Sequence, residues 1–210
     1  TFIINFFTVF KTRINLLSKD SQLHQVQLNQ FYLFSKYFQD CSTEDFNFII
    51  DKKKSVISEL KKELIGGRLY KIAQPENDEL LLTIKQPTGQ KRLLLSASAS
   101  LPLIYLTETN KPSPMTAPNF CMLLRKHLQN GRIVNISQPG LERIVHIDIE
   151  HLDEMGDLRD KTLVMELMGK HSNLIFCNDD NTIIDSIKHV SSAVSSVREV
   201  LPGRPYFIAH

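Results

Sequence analysis

The sequence predicts an α+β domain, and three observations lead to that class. Apolar residues recur at helical spacing in two places, and a glycine follows each helix. Short apolar runs such as "ELLLTIKQ" and "KRLLLSA" flank the turn-forming "PTGQ", which is typical of an antiparallel hairpin. The combination of helix, glycine and strand also occurs twice, as "ELKKELIGGRLYKIAQP" at 59–75 and "LLRKHLQNGRIVNISQP" at 123–139. The chain therefore combines helices and antiparallel strands in an internal helix–strand repeat.

The first copy begins with a helix whose buried face is marked by Val56, Leu60 and Leu64. Gly66 and Gly67 end that helix, since glycine favours a helix C-terminus. The next runs, "RLYKIAQ", "ELLLTIKQ", "KRLLLSA" and "LPLIYLT", predict four strands, and the proline-rich "NKPSPMTAP" predicts a loop.

The second copy repeats this plan. Thr116 is expected to cap a helix that has Pro118 in its first turn and ends before Gly131. Strands are then predicted for "RIVNISQ", "RIVHIDIE", "TLVMELM", "NLIFC" and "TIIDSIKHV", and the tail "LPGRPYF" is a loop. Residues 1–50 have a different texture, rich in aromatics and without glycine or proline, so we expect an atypical N-terminal segment there and a folded domain over 51–210.

Composition narrows the functional class. The net charge is +2, and the three cysteines have no CxxC spacing. These features argue against a disulfide framework and a zinc site, and they favour a reducing, cytoplasmic location. The sequence has no P-loop, no GxGxxG and no paired-histidine motif, so we expect no metal and no cofactor. The apolar opening "TFIINFFTVF" is too short to cross a membrane and resembles no secretory signal.

Charge is distributed unevenly along the chain. Residues 109–141 contain no Asp or Glu but include Arg125, Lys126 and Arg132, whereas the stretch 142–160 is strongly acidic. Helix-terminal and solvated charges are the ordinary explanation of such a pattern. The alternative is a basic face that contacts phosphates. Two further segments are candidates for polar contacts: the turn "GLER", with Glu142 and Arg143, and "MGKHSN" at 168–173. Adjacent residues in a turn rarely form a catalytic triad, so neither segment is expected to be catalytic.

Several ordered motifs together resemble a known family. They include "LIGGRLYKIAQPENDELLL", "GRIVNISQPGLERI", "ELMGKHSNLIF", "IIDSIKHV" and "VREVLPGRPY". These are similar to the N-terminal, or NFACT-N, domain of the ribosome quality-control family that recruits tRNA, also called fibronectin-binding protein A-like in bacteria and nuclear export mediator factor in eukaryotes. The resemblance runs from about Ser55 to Phe207.

The resemblance implies a fold and a function. The fold would be an antiparallel β-sandwich with flanking helices, like the N-terminal domain of formamidopyrimidine-type DNA glycosylases, and without their N-terminal Pro-Glu. The function would be to engage tRNA, alanyl-tRNA in bacteria, on the obstructed large ribosomal subunit and to support template-free C-terminal tailing of the stalled chain. That role is binding and not catalysis. The alternatives are a surface adhesin that binds fibronectin and an inactive glycosylase-like nucleic-acid-binding domain.

Site residues follow from the basic window and the resemblance together. The family's acid–arginine pair corresponds to Glu142 and Arg143, with Glu where Asp is common. The predicted tRNA-binding set is Glu142, Arg143, Arg125, Lys126, Arg132, Lys170, His171, Ser172 and Asn173. The family also continues into helix-hairpin-helix, coiled-coil and C-terminal RNA-binding regions, so we expect this chain to be part of a longer architecture. The segment "FII" at 48–50 stands where the family has "FDG".

Overall fold

The computed structural model describes residues 56–140 and 142–208. The atypical segment predicted for residues 1–50 lies outside the described residues and stays a prediction. The described part of helix α1 covers residues 56–64. The following elements are β1 (Arg68–Glu76), β2 (Glu79–Gln86), β3 (Gly89–Ser96), β4 (Leu103–Leu106), α2 (Asn119–Leu128), β5 (Arg132–Ser137), β6 (Ile144–Leu152), β7 (Leu158–Glu166), a 3-10 turn (Gly169–His171), β8 (Asn173–Asn178) and β9 (Ile183–Ser186).

Within the described residues, the strands form one antiparallel sheet of nine strands in the order β4-β3-β2-β1-β5-β6-β7-β8-β9. The α+β class is therefore confirmed. The sandwich expected from the resemblance takes the form of a single hydrogen-bonded sheet, in which β1 and β5 meet at one registered pair, Arg68 opposite Arg132. The hairpin around "PTGQ" is also confirmed, since β2 and β3 stay in register up to Gln86 and Gly89.

Both halves of the sheet contribute to the same core. One face of β2 and β3 supplies Leu82 and Leu95, and one face of β6 and β8 supplies Ile147 and Phe176. The helices cover this face with residues at the predicted spacing, so the apolar stripes of both helix predictions are confirmed. In α2 the buried residues are Phe120, Cys121, Leu124 and Leu128.

The start of α2 differs from the prediction. Thr116 does not cap the helix; Pro118 stands at the cap position and Asn119 is the first helical residue. Pro118 has φ −59° and ψ 155°, an extended conformation that its ring favours and that a residue before the first turn can adopt. No side chain caps this end, so the cap prediction at Thr116 was wrong.

Four backbone hydrogen bonds join the two halves beside the Arg68–Arg132 pair. Leu69 N donates to Gly131 O and Ile133 N donates to Gly67 O, both at 2.9 Å. Gly66 N donates to Ile133 O and Asn130 N donates to Leu69 O, both at 2.8 Å. Within each of these two pairs, the donor and acceptor positions of one bond are related to those of the other by the 64-residue offset of the repeat. Gly66 (φ 85°) and Asn130 (φ 68°), which are also 64 residues apart, both have a left-handed backbone conformation. The internal repeat stays an interpretation of the sequence, and these bonds show that its matched segments touch one another.

The C-terminal part of the described chain covers the second face of β6–β9. Val200, Tyr206 and Ile208 pack there against Ile144 and Val164. Within the described residues, no helix is both long and apolar enough to cross a membrane.

Candidate nucleic-acid interface

The segment "GLER" leads into the first residue of β6. Glu142 N donates to Pro139 O at 3.0 Å, and Gln138 Nε2 donates to Glu142 O at 2.5 Å, so the chain turns tightly before the strand. Arg143 O then accepts a hydrogen bond of 2.8 Å from Leu167 N, directly after β7. This bond places "GLER" beside "MGKHSN".

Arg143 is buried, although it follows a Pro-Gly turn. Its relative exposure is 8%, so little of the side chain reaches solvent, whereas Glu142 is half-buried. A buried arginine keeps its charge and needs partners, so its conformation is fixed by its surroundings before any ligand binds.

In "MGKHSN", the last two side chains are buried and hold the backbone in place, whereas the lysine and the histidine are exposed. Ser172 Oγ accepts a hydrogen bond from Met168 N at 2.8 Å and closes the 3-10 turn. Asn173 holds the neighbouring segment with its amide group: Nδ2 donates to Lys188 O at 2.8 Å and Oδ1 accepts from Lys188 N at 3.1 Å. Both side chains are buried, while Lys170 and His171 are exposed at the tip of the turn.

A third loop joins the first two. Lys188 Nζ donates to Ala97 O, in the segment after β3. His189 beside it is exposed, and its Nε2 lies 2.6 Å from Asp185 Oδ1. We call residues 97–100, 138–143, 168–173 and 186–189 the loop cluster. Its exposed polar side chains include Lys170, His171 and His189, and it also contains the buried Arg143.

A buried ionic group lies under the loop cluster. The Glu166 carboxylate is fully buried; its Oε2 is 2.5 Å from Arg198 Nη2 and its Oε1 accepts a hydrogen bond of 3.0 Å from the Tyr206 hydroxyl. Burial, together with the negative charge of Glu166, raises the pKa of Tyr206 well above its ordinary value. Glu166 pairs with Ile144 and Asn173 in the sheet, so this group ties the C-terminal segment to the strands that carry both motifs.

The remaining predicted residues lie elsewhere. Arg132 is opposite Glu150 at the far end of β6. Seven residues of extended chain, at about 3.3 Å each, put roughly 23 Å between that position and Arg143. Lys126 is exposed near Glu154, at the same far end. The acid-free window is thus continuous in sequence but divided in space.

The cations at the far end have partners of their own. Arg132 Nη2 is 3.1 Å from Glu150 Oε2, and Lys126 Nζ is 3.9 Å from Glu154 Oε1. These pairs are exposed and contribute little to stability. Arg125 is different, because its Nε donates to Ile72 O at 2.8 Å and links α2 to β1. Arg125 therefore has a structural role that the sequence did not indicate.

Sequence reasoning also missed four residues. Glu166 stands in the apolar run "TLVMELM", where a charged residue in a strand signals a buried partner. Its partners Arg198 and Tyr206 lie in the motif "VREVLPGRPY", but nothing in their spacing indicates that they meet Glu166. The role of Lys188 as a link to the loop at Ala97 was equally absent from the pattern.

Fold and site together define a class of protein: an α+β domain with an antiparallel sheet and a polar loop cluster at one end of β6 and β7. The family model for NFACT N-terminal and middle domains matches residues 53–209, so the chain belongs to the NFACT family. The resemblance seen in the sequence is confirmed.

Named relatives and solved structures agree with this assignment. The chain is 41% identical over 149 residues to the Rqc2 homolog RqcH of Bacillus subtilis, covering 70% of this chain and 26% of the relative. It is 33% identical over 157 residues to mouse ribosome quality control complex subunit NEMF, covering 75% of this chain and 14% of the relative. The crystal structure of the N-terminal domain of fibronectin-binding protein PavA from Streptococcus pneumoniae has a TM-score of 0.73 and 38% identity, covering 78% of this chain and 61% of that one. The chain thus spans about a quarter of the length of its bacterial curated relative.

Proposed function

We propose that this domain is an RNA-binding module of ribosome-associated quality control. It engages tRNA, alanyl-tRNA in particular, on the obstructed large ribosomal subunit, and so supports template-free alanine tailing of the stalled chain in the cytoplasm. The relatives named Rqc2 homolog and ribosome quality control complex subunit support the process. The single observation that carries the tRNA contact is the loop cluster, in which the backbone oxygen of Arg143 accepts a hydrogen bond from Leu167 N, directly before "MGKHSN".

The proposed mechanism is positioning without covalent chemistry. Lys170 and His171 lie on a three-residue turn whose backbone is fixed by the hydrogen bond from Met168 N to Ser172 Oγ. The backbone of this turn therefore does not have to be ordered when the two side chains contact phosphate oxygens. Arg143 is held almost buried, and its guanidinium contributes a fixed positive charge and donors that can contact a phosphate or a base edge at the exposed margin. Ser172 and Asn173 act indirectly, by shaping the turn.

Substitution of Arg143 tests this proposal most directly. We expect Arg143→Ala and Arg143→Lys to weaken tRNA binding by roughly 10- to 150-fold, since a charge-assisted contact contributes about 1.5–3 kcal/mol and lysine lacks the planar fork. Binding is measured by fluorescence anisotropy with labelled tRNA. Arg159→Ala is the matched control, because Arg159 is half-exposed and paired with Asp153 at the other end of β7. It should change the affinity less than threefold, a small effect for a surface charge.

The burial of Arg143 makes a second variant necessary. Lys170→Ala/His171→Ala changes only exposed side chains and should leave the melting temperature unchanged while it weakens tRNA binding and lowers the salt dependence. Wild-type affinity in this double variant, together with wild-type affinity in a folded Arg143→Ala protein, would refute the tRNA site.

Fibronectin binding is the second candidate, because a solved structure of similar fold is named a fibronectin-binding protein. The same preparations should be tested on immobilised fibronectin. Saturable binding that survives Arg143→Ala, with no tRNA binding at low salt, would favour the adhesin. Binding to an abasic-site DNA duplex with no tRNA preference would instead favour the glycosylase-like alternative, for which the likeness of fold stays a prediction.

A further inference from the structure

A row of cations crosses the sheet at the junction of its two halves. Arg132 on β5 is directly opposite Arg68 on β1, and Arg68 is directly opposite Lys85 on β2. Directly opposed residues of adjacent strands project from the same face, and all three residues are exposed. With strands about 4.8 Å apart, three positive charges stand within roughly 10 Å. We call Arg132, Arg68 and Lys85 the cationic row.

An exposed aromatic side chain lies beside the cationic row. Tyr70 follows Arg68 by two residues, next to a register shift in β1, and 48% of it is exposed. The Lys85 Nζ atom is 3.5 Å from the centroid of the Tyr70 ring. Arg68 Nη1 donates to Asn130 O at 3.2 Å, which directs the guanidinium along the junction. Both the ring and the cations are therefore held in place at the surface.

Stability alone does not account for this arrangement. Like charges directly opposite one another destabilise a sheet, and here two such pairs are adjacent. Among the described residues, one carboxylate is ion-paired with the row: Glu150, which is 3.1 Å from Arg132 at its end. Arg68 and Lys85 have no ion pair within 56–140 and 142–208. An anionic ligand would supply the missing countercharge.

We propose that the cationic row and Tyr70 form a second RNA-binding site, specific for an unpaired strand. Phosphates neutralise Arg68, Lys85 and Arg132, and a base stacks on the Tyr70 ring while the Lys85 ammonium moves to a phosphate. A sheet face with cations beside an exposed aromatic ring suits unpaired nucleic acid, because the bases of a strand without a partner are free to stack. An acidic peptide would use the cations but leave Tyr70 without a role.

This site goes beyond the proposed tRNA contact, because it lies roughly 23 Å from Arg143 along the direction of β6. The tRNA-binding set predicted from the sequence contains no residue of the first repeat copy, 59–75. The structure brings Arg68 of the first copy to Arg132 of the second. The two copies thus build this site together.

The test uses fluorescence anisotropy with a short labelled single-stranded oligoadenylate. We expect Arg68→Glu/Lys85→Glu to weaken binding at least tenfold and to lower the log–log salt slope by about 1.4, since each lost phosphate contact removes about 0.7. The matched control is Lys61→Glu/Lys62→Glu, which makes the same charge change at exposed positions of α1 and should stay within about threefold. Arg68→Gln/Lys85→Gln repeats the test without charge reversal, in case the reversed pair does not fold.

Variants of Tyr70 distinguish base stacking on the ring from charge attraction alone. Tyr70→Phe keeps the ring and should bind like wild type, whereas Tyr70→Ala should weaken binding roughly 5- to 150-fold, the range for one stacked base. Any of three results would overturn the proposal. The domain could bind the oligoadenylate and a duplex formed from it equally well, the Arg68/Lys85 and Lys61/Lys62 variants could weaken binding equally, or oligoglutamate could compete fully with the oligoadenylate. The two sites fail independently: failure of the tRNA site is read from the effect of Arg143→Ala on tRNA binding, and failure of this site from the effect of the Arg68 and Lys85 variants on oligoadenylate binding.

Discussion

Removal of the Arg198 side chain should destabilise the domain strongly, because it leaves a buried negative charge. Glu166 is completely buried, and the Arg198 side chain that neutralises it is 11% exposed. Breaking a buried ion pair by removing one partner costs about 3–5 kcal/mol. For Arg198→Met, which keeps much of the apolar volume, we expect a loss in that range. A chain of this size loses about 2–4 °C of melting temperature per kcal/mol, so the decrease should be roughly 6–20 °C.

Chemical denaturation of four proteins tests the reasoning: wild type, Arg198→Met, Glu166→Gln and the double variant. Glu166→Gln removes the buried charge and leaves an amide that still reaches the Tyr206 hydroxyl, which now lies 3.0 Å from Glu166 Oε1. The double variant should therefore be more stable than Arg198→Met alone, because no charge is left unpaired. Arg204→Met is the control from the same segment, since its pair with Glu199 is solvent-exposed and should contribute less than about 1 kcal/mol.

The outcome can contradict this account in two ways. If Arg198→Met costs less than about 1 kcal/mol, the pair behaves like an exposed one and the Glu166 carboxylate is not truly desolvated. If the two single losses simply add in the double variant, Glu166 and Arg198 are not coupled, and the loss reflects packing of the segment.

Three further predictions concern packing, pH and thiol chemistry. A Cβ on Gly67 or Gly131 would lie 2.3 Å from Ile84 Cγ2 or 2.8 Å from Ile149 Cγ2, so alanine at either site should lower unfolding stability by about 1–3 kcal/mol in urea titrations. Burial lowers the pKa of His146 below its ordinary 6.5, so the unfolded chain takes up the proton first: stability should fall as pH drops below about 6.5, and His146→Gln should flatten that decrease. Burial raises the pKa of Cys177 to about 12, so this thiol should react with a disulfide reagent only after denaturation, while a fast reaction in the native protein would disprove its burial.

Local patterns in the sequence predicted the elements well. The spacing of Leu60 and Leu64 and the glycines after them located α1, and "PTGQ" located the β2–β3 hairpin, because both are decided by neighbours in the chain. The cap at Thr116 failed for a local reason too: a competing residue, Pro118, has a backbone preference that sets the helix start.

The site was predicted less completely, because its geometry depends on contacts between distant segments. The motif resemblance identified "GLER" and "MGKHSN", and their contact through Arg143 and Leu167 required the structure. The sequence placed Arg132 and Arg143 in one tRNA-binding set, but Arg132 is opposite Glu150 near the end of β6, whereas Arg143 directly precedes the start of that strand. Nothing in composition or periodicity could show that Arg68 would stand beside Arg132.

The order of the strands has a consequence for how the chain folds. Every neighbouring pair in the sheet consists of consecutive strands, apart from β1 and β5. Each hairpin can form early from local encounters, whereas bringing Arg68 to Arg132 closes a loop of 64 residues, with an entropic cost of about 3.7 kcal/mol from the (3/2)RT ln n relation. Among the strand pairings of the described residues, this closure spans the greatest sequence separation, and it is expected to limit the folding rate. Substitutions at the junction should therefore slow refolding, whereas substitutions confined to the β2–β3 hairpin should mainly accelerate unfolding.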